Sequence, residues 1–131
     1  MSQPFRIPFI LASLLALACE AADAGRPMMS QGELLDLLDS DAAPVVLDVR
    51  TPDEFASGHI PGAVNVPLGE LASRLPGLEL APAAELVVHC ERGGRAERAL
   101  LILEEAGFGS TRQLEGDMRA WRAAGLPCQG C

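Results

Sequence analysis

Cys90 is the residue of this sequence whose surroundings best suit nucleophilic chemistry. It closes the apolar run Glu85–Cys90 and opens the loop Cys90–Arg95, directly before the stretch Ala96–Ala106, whose apolar residues recur at helical spacing. A loop that becomes a helix N-terminus presents free backbone N–H groups and the positive end of the helix dipole, which favour both a thiolate and an anionic substrate. An isolated cysteine at a strand end is more often a small buried apolar residue. Here the combination of strand, loop and helix start favours a reactive thiol.

The composition of the loop strengthens this prediction. Gly93 and Gly94 allow the backbone to curl so that successive N–H groups point inward. Arg92 and Arg95 add cationic donors near the sulfur, whereas Glu91 partly opposes their field. The sequence therefore predicts a local positive site within an acidic protein.

The elements that must position this loop alternate between helices and strands. Helical patterns or caps are found at Ser30–Asp39, Thr51–Ala56, Leu68–Leu75, Ala96–Ala106 and around Trp121. Strand patterns are found at Val45–Val49, Ala63–Val66, Leu86–Val88 and Thr111–Leu114, and Pro76–Pro82 is predicted as a loop. This order predicts an α/β fold of three layers, with a central, mainly parallel sheet flanked by helices. Ligands of such sheets bind outside the carboxyl ends of the strands, where Cys90 lies.

Asp48 and Arg50 end a neighbouring apolar strand on the same side as Cys90. They share a face of that strand, so they could order nearby loops or bind substrate, and a structural ion pair explains them equally well. His59 is expected in a turn, and His89 is expected to face away from Cys90. Neither histidine is assigned a catalytic role.

Length and charge restrict the function classes. The chain has 131 residues, enough for one domain with a substantial core. Its net charge of -8 argues against a nucleic acid or an anionic membrane as partner. A structural zinc site needs about four ligands. The chain has only 2 histidines, and neither is near the C-terminal cysteine pair in sequence, so we expect no metal.

The N-terminal residues 1–24 have the outline of a secretory signal peptide. An apolar stretch follows Arg6, and small residues allow cleavage after Ala18 or after Ala24. The first cut would leave Cys19 as a lipid-anchored N-terminus, and the second would release a soluble protein. We expect an exported chain, in the bacterial periplasm, with its domain over residues 26–127.

The C-terminal tail, residues 128–131, carries a Cys-x-x-Cys pair. Disulfides persist in the oxidising compartment that an exported protein reaches. We therefore expect Cys128 and Cys131 to form a disulfide with each other. A sharper hypothesis is that this redox pair relays sulfur from Cys90, which would involve a thiol-redox partner.

Several motifs together resemble the single-domain rhodanese family. They are Leu47–Arg50, Glu54–Phe55, Gly58–Ala63, Asn65–Pro67, Cys90–Arg95, Glu115–Trp121 and Ala124–Pro127. The resemblance implies a rhodanese-like fold and a sulfurtransferase without a cofactor, in which the Cys90 thiolate takes the outer sulfur of thiosulfate and passes it from a persulfide to cyanide or a thiol. By position, it also implies that the substrate-binding cradle is Glu91, Arg92, Gly93, Gly94 and Arg95.

The chain departs from the family pattern in three places, and two other functions must be weighed. Glu91 places a negative charge beside the thiol, which would weaken the binding of thiosulfate. Ala96 stands where the family often has Ser, and Asp117 stands where it frequently has a second glycine. A cysteine-dependent phosphatase has a similar loop, but it needs one more residue between Cys and Arg, and position 96 is not Arg. A non-catalytic domain that carries persulfide or binds a partner is the third possibility, although such a relative would usually have lost its nucleophile.

Overall fold

The computed structural model of the chain describes residues 28–131. In this part of the chain the strands are β1 Met28–Met29, β2 Val45–Asp48, β3 Val64–Asn65, β4 Leu86–His89 and β5 Thr111–Leu114. The α-helices are α1 Gln31–Leu38, α2 Pro52–Ala56, α3 Leu68–Arg74, α4 Gly94–Glu105 and α5 Asp117–Ala123, and a 3₁₀ helix spans Leu75–Leu78.

The strands form a single parallel sheet in the order β1-β5-β4-β2-β3. The predicted α/β fold with a central parallel sheet is therefore confirmed. The chain leaves β4 toward β5 on one side and leaves β2 toward β3 on the other, so the connections after these two central strands diverge. A crevice between diverging connections is where such sheets bind ligands. Cys90 directly follows β4 at this point.

Side chains of the central strands alternate between two hydrophobic clusters, one on each face of the sheet. Leu47, Val88 and Cys90 belong to the cluster covered by α3 and α4. Val46 and Val87 belong to the cluster on the opposite face, which α1 and α5 cover. This alternation fixes which face of the sheet each functional side chain can reach.

The helix starts follow local capping chemistry. The Ser30 side chain accepts a hydrogen bond from the Glu33 N–H at 3.1 Å, which caps α1. Thr51 and Glu54 form a reciprocal capping box at α2, with Pro52 in its first turn. Both caps match the predicted helix starts.

Besides shifts of one or two residues at the ends of helices and strands, the structure differs from the sequence-based expectation at three places. The short strand Met28–Met29 was not expected, because two residues are too few to show an alternating pattern. Part of the predicted loop Pro76–Pro82 belongs to the 3₁₀ helix Leu75–Leu78. The strand predicted at Ala63–Val66 is shorter, because only Val64–Asn65 pairs with β2.

The predicted signal peptide, with Cys19 and both cleavage sites, lies outside the described residues. Among residues 28–131, no helix has the length and apolar character needed to cross a membrane.

Candidate active site

The Cys90 thiol lies at the N-terminal end of α4. The residue is 1% exposed, and its Sγ accepts a hydrogen bond from the Gly93 N–H at 3.0 Å. An N–H group directed at sulfur at the start of a helix is a setting in which proteins use cysteine as a nucleophile. The expected relationship between this thiol and the helix start is therefore present in the fold.

The two loop glycines play different parts. Gly93 has a φ of 122°, and a Cβ there would lie 3.0 Å from both Asp117 Oδ2 and Gln113 Nε2. Gly94 has no positive φ, and the space where its Cβ would lie is open. The curl of the loop therefore depends on Gly93, whereas Gly94 is the first residue of α4.

Arg50 is the centre of an ion-pair network beside the loop. Its guanidinium donates to the Asp48 carboxylate at 2.7 Å, to the Gly58 carbonyl at 2.8 Å and to Glu91 at 3.2 Å. Burial opposes its charge, but hydrogen bonding and attraction to Asp48 and Glu91 raise the pKa of Arg50 above its usual value. Asp48 and Arg50 are 0% and 1% exposed, so their geometry fits the structural ion pair that orders the loops.

Glu91 is compensated by two cations. Its carboxylate accepts from Arg122 at 2.7 Å and from Arg50 at 3.2 Å. The hydrogen bond from Arg122 is the largest reason why the pKa of Glu91 is lowered. The opposing field expected from Glu91 is therefore largely neutralised.

The two loop arginines also differ. Arg95 donates two hydrogen bonds to the Glu54 carboxylate, at 2.6 and 2.9 Å, which ties α4 to α2. Arg92 is exposed and makes no ion pair with any residue in the described part of the chain. Of the two, Arg92 is the guanidinium that is free to meet an incoming anion.

Asp117 is a site residue that the sequence reasoning did not select. Its carboxylate, 2% exposed, accepts a hydrogen bond from the Cys90 N–H at 3.0 Å. It also accepts from the Gln113 side chain at 3.1 Å. The available signal was its occurrence where related sequences frequently have glycine.

The two histidines are held by separate contacts, and His89 contacts the backbone of Cys90. His89 is fully buried, with Nδ1 3.0 Å from the Cys90 carbonyl and Nε2 3.6 Å from Asp48 Oδ2, and burial lowers its pKa. His59 stacks on the Phe55 ring at a centroid distance of 3.7 Å. Residues 28–131 contain no group of three or more His, Cys, Asp or Glu placed to hold a metal ion.

Cys128 and Cys131 form a disulfide in the C-terminal tail. The tail pairs with the segment after α2 through two backbone hydrogen bonds between His59 and Gln129. A Cβ on Gly58 would meet both sulfurs, so the disulfide lies directly on that glycine. Cys128 packs against the cluster on the face of the sheet opposite to that of Cys90. The relay of sulfur from Cys90 to this pair stays a prediction.

Known proteins are similar to this chain in sequence and in fold. The model of the rhodanese-like domain matches residues 30–124. The human thiosulfate:glutathione sulfurtransferase is 35% identical over 113 residues, which cover 75% of this chain and 95% of that protein. A Mycobacterium tuberculosis protein, the HTH-type transcriptional regulator Rv0324, is 36% identical over 120 residues, which cover 89% of this chain. This chain spans only 51% of the length of that regulator.

Among solved structures, the crystal structure of the Alr3790 protein from Anabaena superposes with a TM-score of 0.72 at 29% identity. The match covers 78% of this chain and 91% of that one. The family model covers most of the chain, and the Cys90 loop lies inside the matched region. This protein is therefore a member of the rhodanese family, with a rhodanese-like domain and sulfurtransferases among its relatives.

Proposed function

We propose that this protein is a sulfurtransferase that carries sulfane sulfur as a persulfide on Cys90. The observation that supports this most directly is the 3.0 Å hydrogen bond from the Gly93 N–H to Cys90 Sγ at the start of α4. It places a backbone donor directly at the nucleophilic sulfur, where an anionic donor would react. The donor is thiosulfate or a related anion, and the acceptor is cyanide or a thiol.

The chemistry proceeds in two displacements. The Cys90 thiolate attacks the outer sulfur of thiosulfate, a new S–S bond forms, and the S–S bond of the donor breaks with its electron pair leaving on sulfite. The acceptor then attacks the outer sulfur of the Cys90 persulfide, whose S–S bond breaks to restore the thiolate. Sulfite is already a good anionic leaving group, so no side chain has to transfer a proton.

The surrounding charges suggest how the anionic donor is held. Arg92 is exposed and unpaired within residues 28–131, so we assign it to the terminal oxygens of the donor. Arg95 is held by Glu54, and we assign it mainly to fixing the start of α4. The backbone from Glu91 to Arg95 contributes the cradle of N–H groups, with the N–H of Gly93 already directed at the sulfur.

The test is a sulfur-transfer assay with thiosulfate and cyanide, beside an assay of aryl phosphate hydrolysis. We expect transfer by the wild type, loss of transfer in Cys90→Ser, and negligible phosphatase activity. The matched control is Cys128→Ser/Cys131→Ser, the same substitution at the other cysteines of the described region, which we expect to stay active. Equal transfer by Cys90→Ser and the wild type would overturn the proposal.

Export to the periplasm remains a proposal from the N-terminal sequence. The intact mass of the protein isolated after export would distinguish a lipid-anchored form beginning at Cys19 from a soluble form cut after Ala24. Recovery of the full-length chain in the cytoplasm would refute export.

A further inference from the structure

Asp117 holds the start of the Cys90 loop. It is the first residue of α5, its φ is 52°, and its Oδ1 accepts the Cys90 N–H at 3.0 Å. The next backbone N–H, that of Met118, donates to the Cys90 carbonyl at 3.0 Å. Both peptide groups that flank the nucleophile are thus bound by consecutive residues of α5.

The same carboxylate also reaches the far end of the loop. Asp117 Oδ2 accepts from Gln113 Nε2 at 3.1 Å, and that amide lies 3.4 Å from the Gly93 carbonyl. A Cβ on Gly93 would lie 3.0 Å from Asp117 Oδ2. The carboxylate therefore lies directly against the residue whose N–H points at Cys90 Sγ.

Unlike the other carboxylates around the loop, Asp117 has no cationic partner among the described residues. Asp48 and Glu91 pair with Arg50, and Glu54 pairs with Arg95. Asp117 makes no ion pair with any described residue, and its partners, a backbone N–H and an amide, are neutral. Burial raises the pKa of Asp117, and the hydrogen bonds from Cys90 and Gln113 oppose that rise.

Other charged groups near this carboxylate do not cancel it. His89, which precedes Cys90, is fully buried, and burial lowers its pKa. Arg119 of α5 is exposed and uses its backbone N–H on the Glu91 carbonyl. A buried, unpaired negative charge acts on nearby ions through a medium less polar than water. Its repulsion grows with the charge of the donor.

We propose that Asp117 positions the Cys90 loop and determines donor specificity, favouring singly charged sulfane donors, such as organic persulfides and thiosulfonates, over doubly charged thiosulfate. This inference rests on the proposed sulfurtransferase function. With benzenethiosulfonate, the Cys90 thiolate attacks the outer sulfur, the S–S bond of the donor breaks, and benzenesulfinate leaves with the electron pair. The product on the enzyme is the same persulfide, so the two donors differ in charge and not in the sulfur delivered.

Two substitutions separate the charge of Asp117 from its hydrogen bond. Asp117→Asn removes the charge and keeps an oxygen for the Cys90 N–H. The Gln113 amide can turn over to accept from the new NH₂ group, and it then gives up its 3.4 Å contact with the Gly93 carbonyl. Asp117→Gly removes both the charge and the hydrogen bond. Asn and Gly both tolerate the positive φ at this position. Asp36→Asn, on the exposed side of α1, is the matched control for loss of one negative charge.

The readout is the ratio of kcat/KM for thiosulfate to kcat/KM for benzenethiosulfonate. We expect this ratio to rise at least about fivefold in Asp117→Asn, since one unit of donor charge no longer meets the carboxylate. The control should leave the ratio unchanged. Asp117→Gly should show the same change in ratio with a lower kcat for both donors, which Asp117→Asn restores. An unchanged ratio in both Asp117 variants would overturn the inference.

A second readout does not depend on sulfur transfer. The rate of Cys90 alkylation by iodoacetamide, followed against pH, should have its midpoint at lower pH in Asp117→Asn than in the wild type. If no variant transfers sulfur and this midpoint still moves, the proposed function fails while the electrostatic role of Asp117 stands. If the midpoint stays in place, the inference fails whatever the activity.

Discussion

The guanidinium of Arg50 lies 3.2 Å from the carboxylate of Glu91, the residue that directly follows the nucleophile. The same guanidinium binds the buried Asp48 at 2.7 Å and the Gly58 carbonyl at 2.8 Å. It therefore joins the end of β2, the segment after α2 and the Cys90 loop. The Arg50 side chain is only 1% exposed, so these contacts hold the three segments together inside the protein.

Replacing Arg50 should lower the free energy of unfolding. Arg50→Met leaves the fully buried Asp48 without its cation, and breaking a buried pair in this way costs about 3–5 kcal/mol. Arg50→Lys keeps the charge without the planar fork and should lose less. Urea denaturation measures both free energies of unfolding. If Arg50→Met lowers the free energy of unfolding by less than about 1 kcal/mol, the contacts of Arg50 contribute little to stability.

The Glu54–Arg95 ion pair should make stability depend on pH in the acid range. The hydrogen bond from Arg95 is the largest reason why the pKa of Glu54 falls from 4.5 to about 2. Because the folded pKa is lower than the unfolded one, the stabilisation is complete above pH 4.5 and is lost as the pH falls toward about 2. The side chain is 33% exposed, so solvent screening limits the effect to about 1 kcal/mol.

Glu54→Gln is the variant that measures this contribution, because an amide can retain the cap on the Thr51 N–H. Thermal unfolding should show it less stable than the wild type at neutral pH and equal to it near pH 2. Asp53→Asn, an exposed carboxylate in the same turn, is the control. A difference that persists unchanged down to pH 2 would mean that the ion pair is not its source.

The two loop arginines should separate binding from stability. Arg92→Ala should raise the KM for thiosulfate by about tenfold, the effect of losing a charged hydrogen bond, and leave the free energy of unfolding unchanged. Arg92→Lys keeps the charge and should lie closer to the wild type. Arg95→Ala should instead lose about 1 kcal/mol of stability with the Glu54 pair. Steady-state kinetics and urea denaturation on the same preparations measure both effects. A larger rise in KM for Arg95→Ala than for Arg92→Ala would show that Arg95 is the main ligand.

The tail disulfide should stabilise the fold without taking part in turnover. The Cys128→Ser/Cys131→Ser variant opens a short loop, which costs about 2 kcal/mol in the chain-entropy account. Turnover with thiol acceptors should be unchanged, because Cys128 packs on the face of the sheet opposite to Cys90. A marked loss of turnover in a variant that is fully folded under the assay conditions would instead support the sulfur relay.

The pattern of the sequence predicts the frame of this protein well. Apolar runs such as Val45–Val49 and the capping signals at Ser30 and Thr51 act locally, so the central strands and the helix starts follow from neighbouring residues. The position of Cys90 at the end of β4 follows from the same reasoning. Strands of two residues, such as Met28–Met29, leave no comparable pattern.

The side-chain partners around the loop are harder to predict. Glu54 and Arg95 are separated by 41 residues, as are Arg50 and Glu91. These pairs depend on the order of strands in the sheet, which the local pattern does not contain. In the sequence Asp117 stands out only as a departure from the family pattern, because its contact with Cys90 depends on how α5 packs against the loop.

A persulfide on Cys90 is detected most directly by the intact mass of the protein after incubation with thiosulfate or benzenethiosulfonate and removal of the excess donor. We expect the wild type to gain the mass of one sulfur atom, cyanide or a thiol to remove it, and Cys90→Ser to gain nothing. Absence of the added sulfur in the wild type with both donors, or an equal gain in Cys90→Ser, would contradict a persulfide on Cys90.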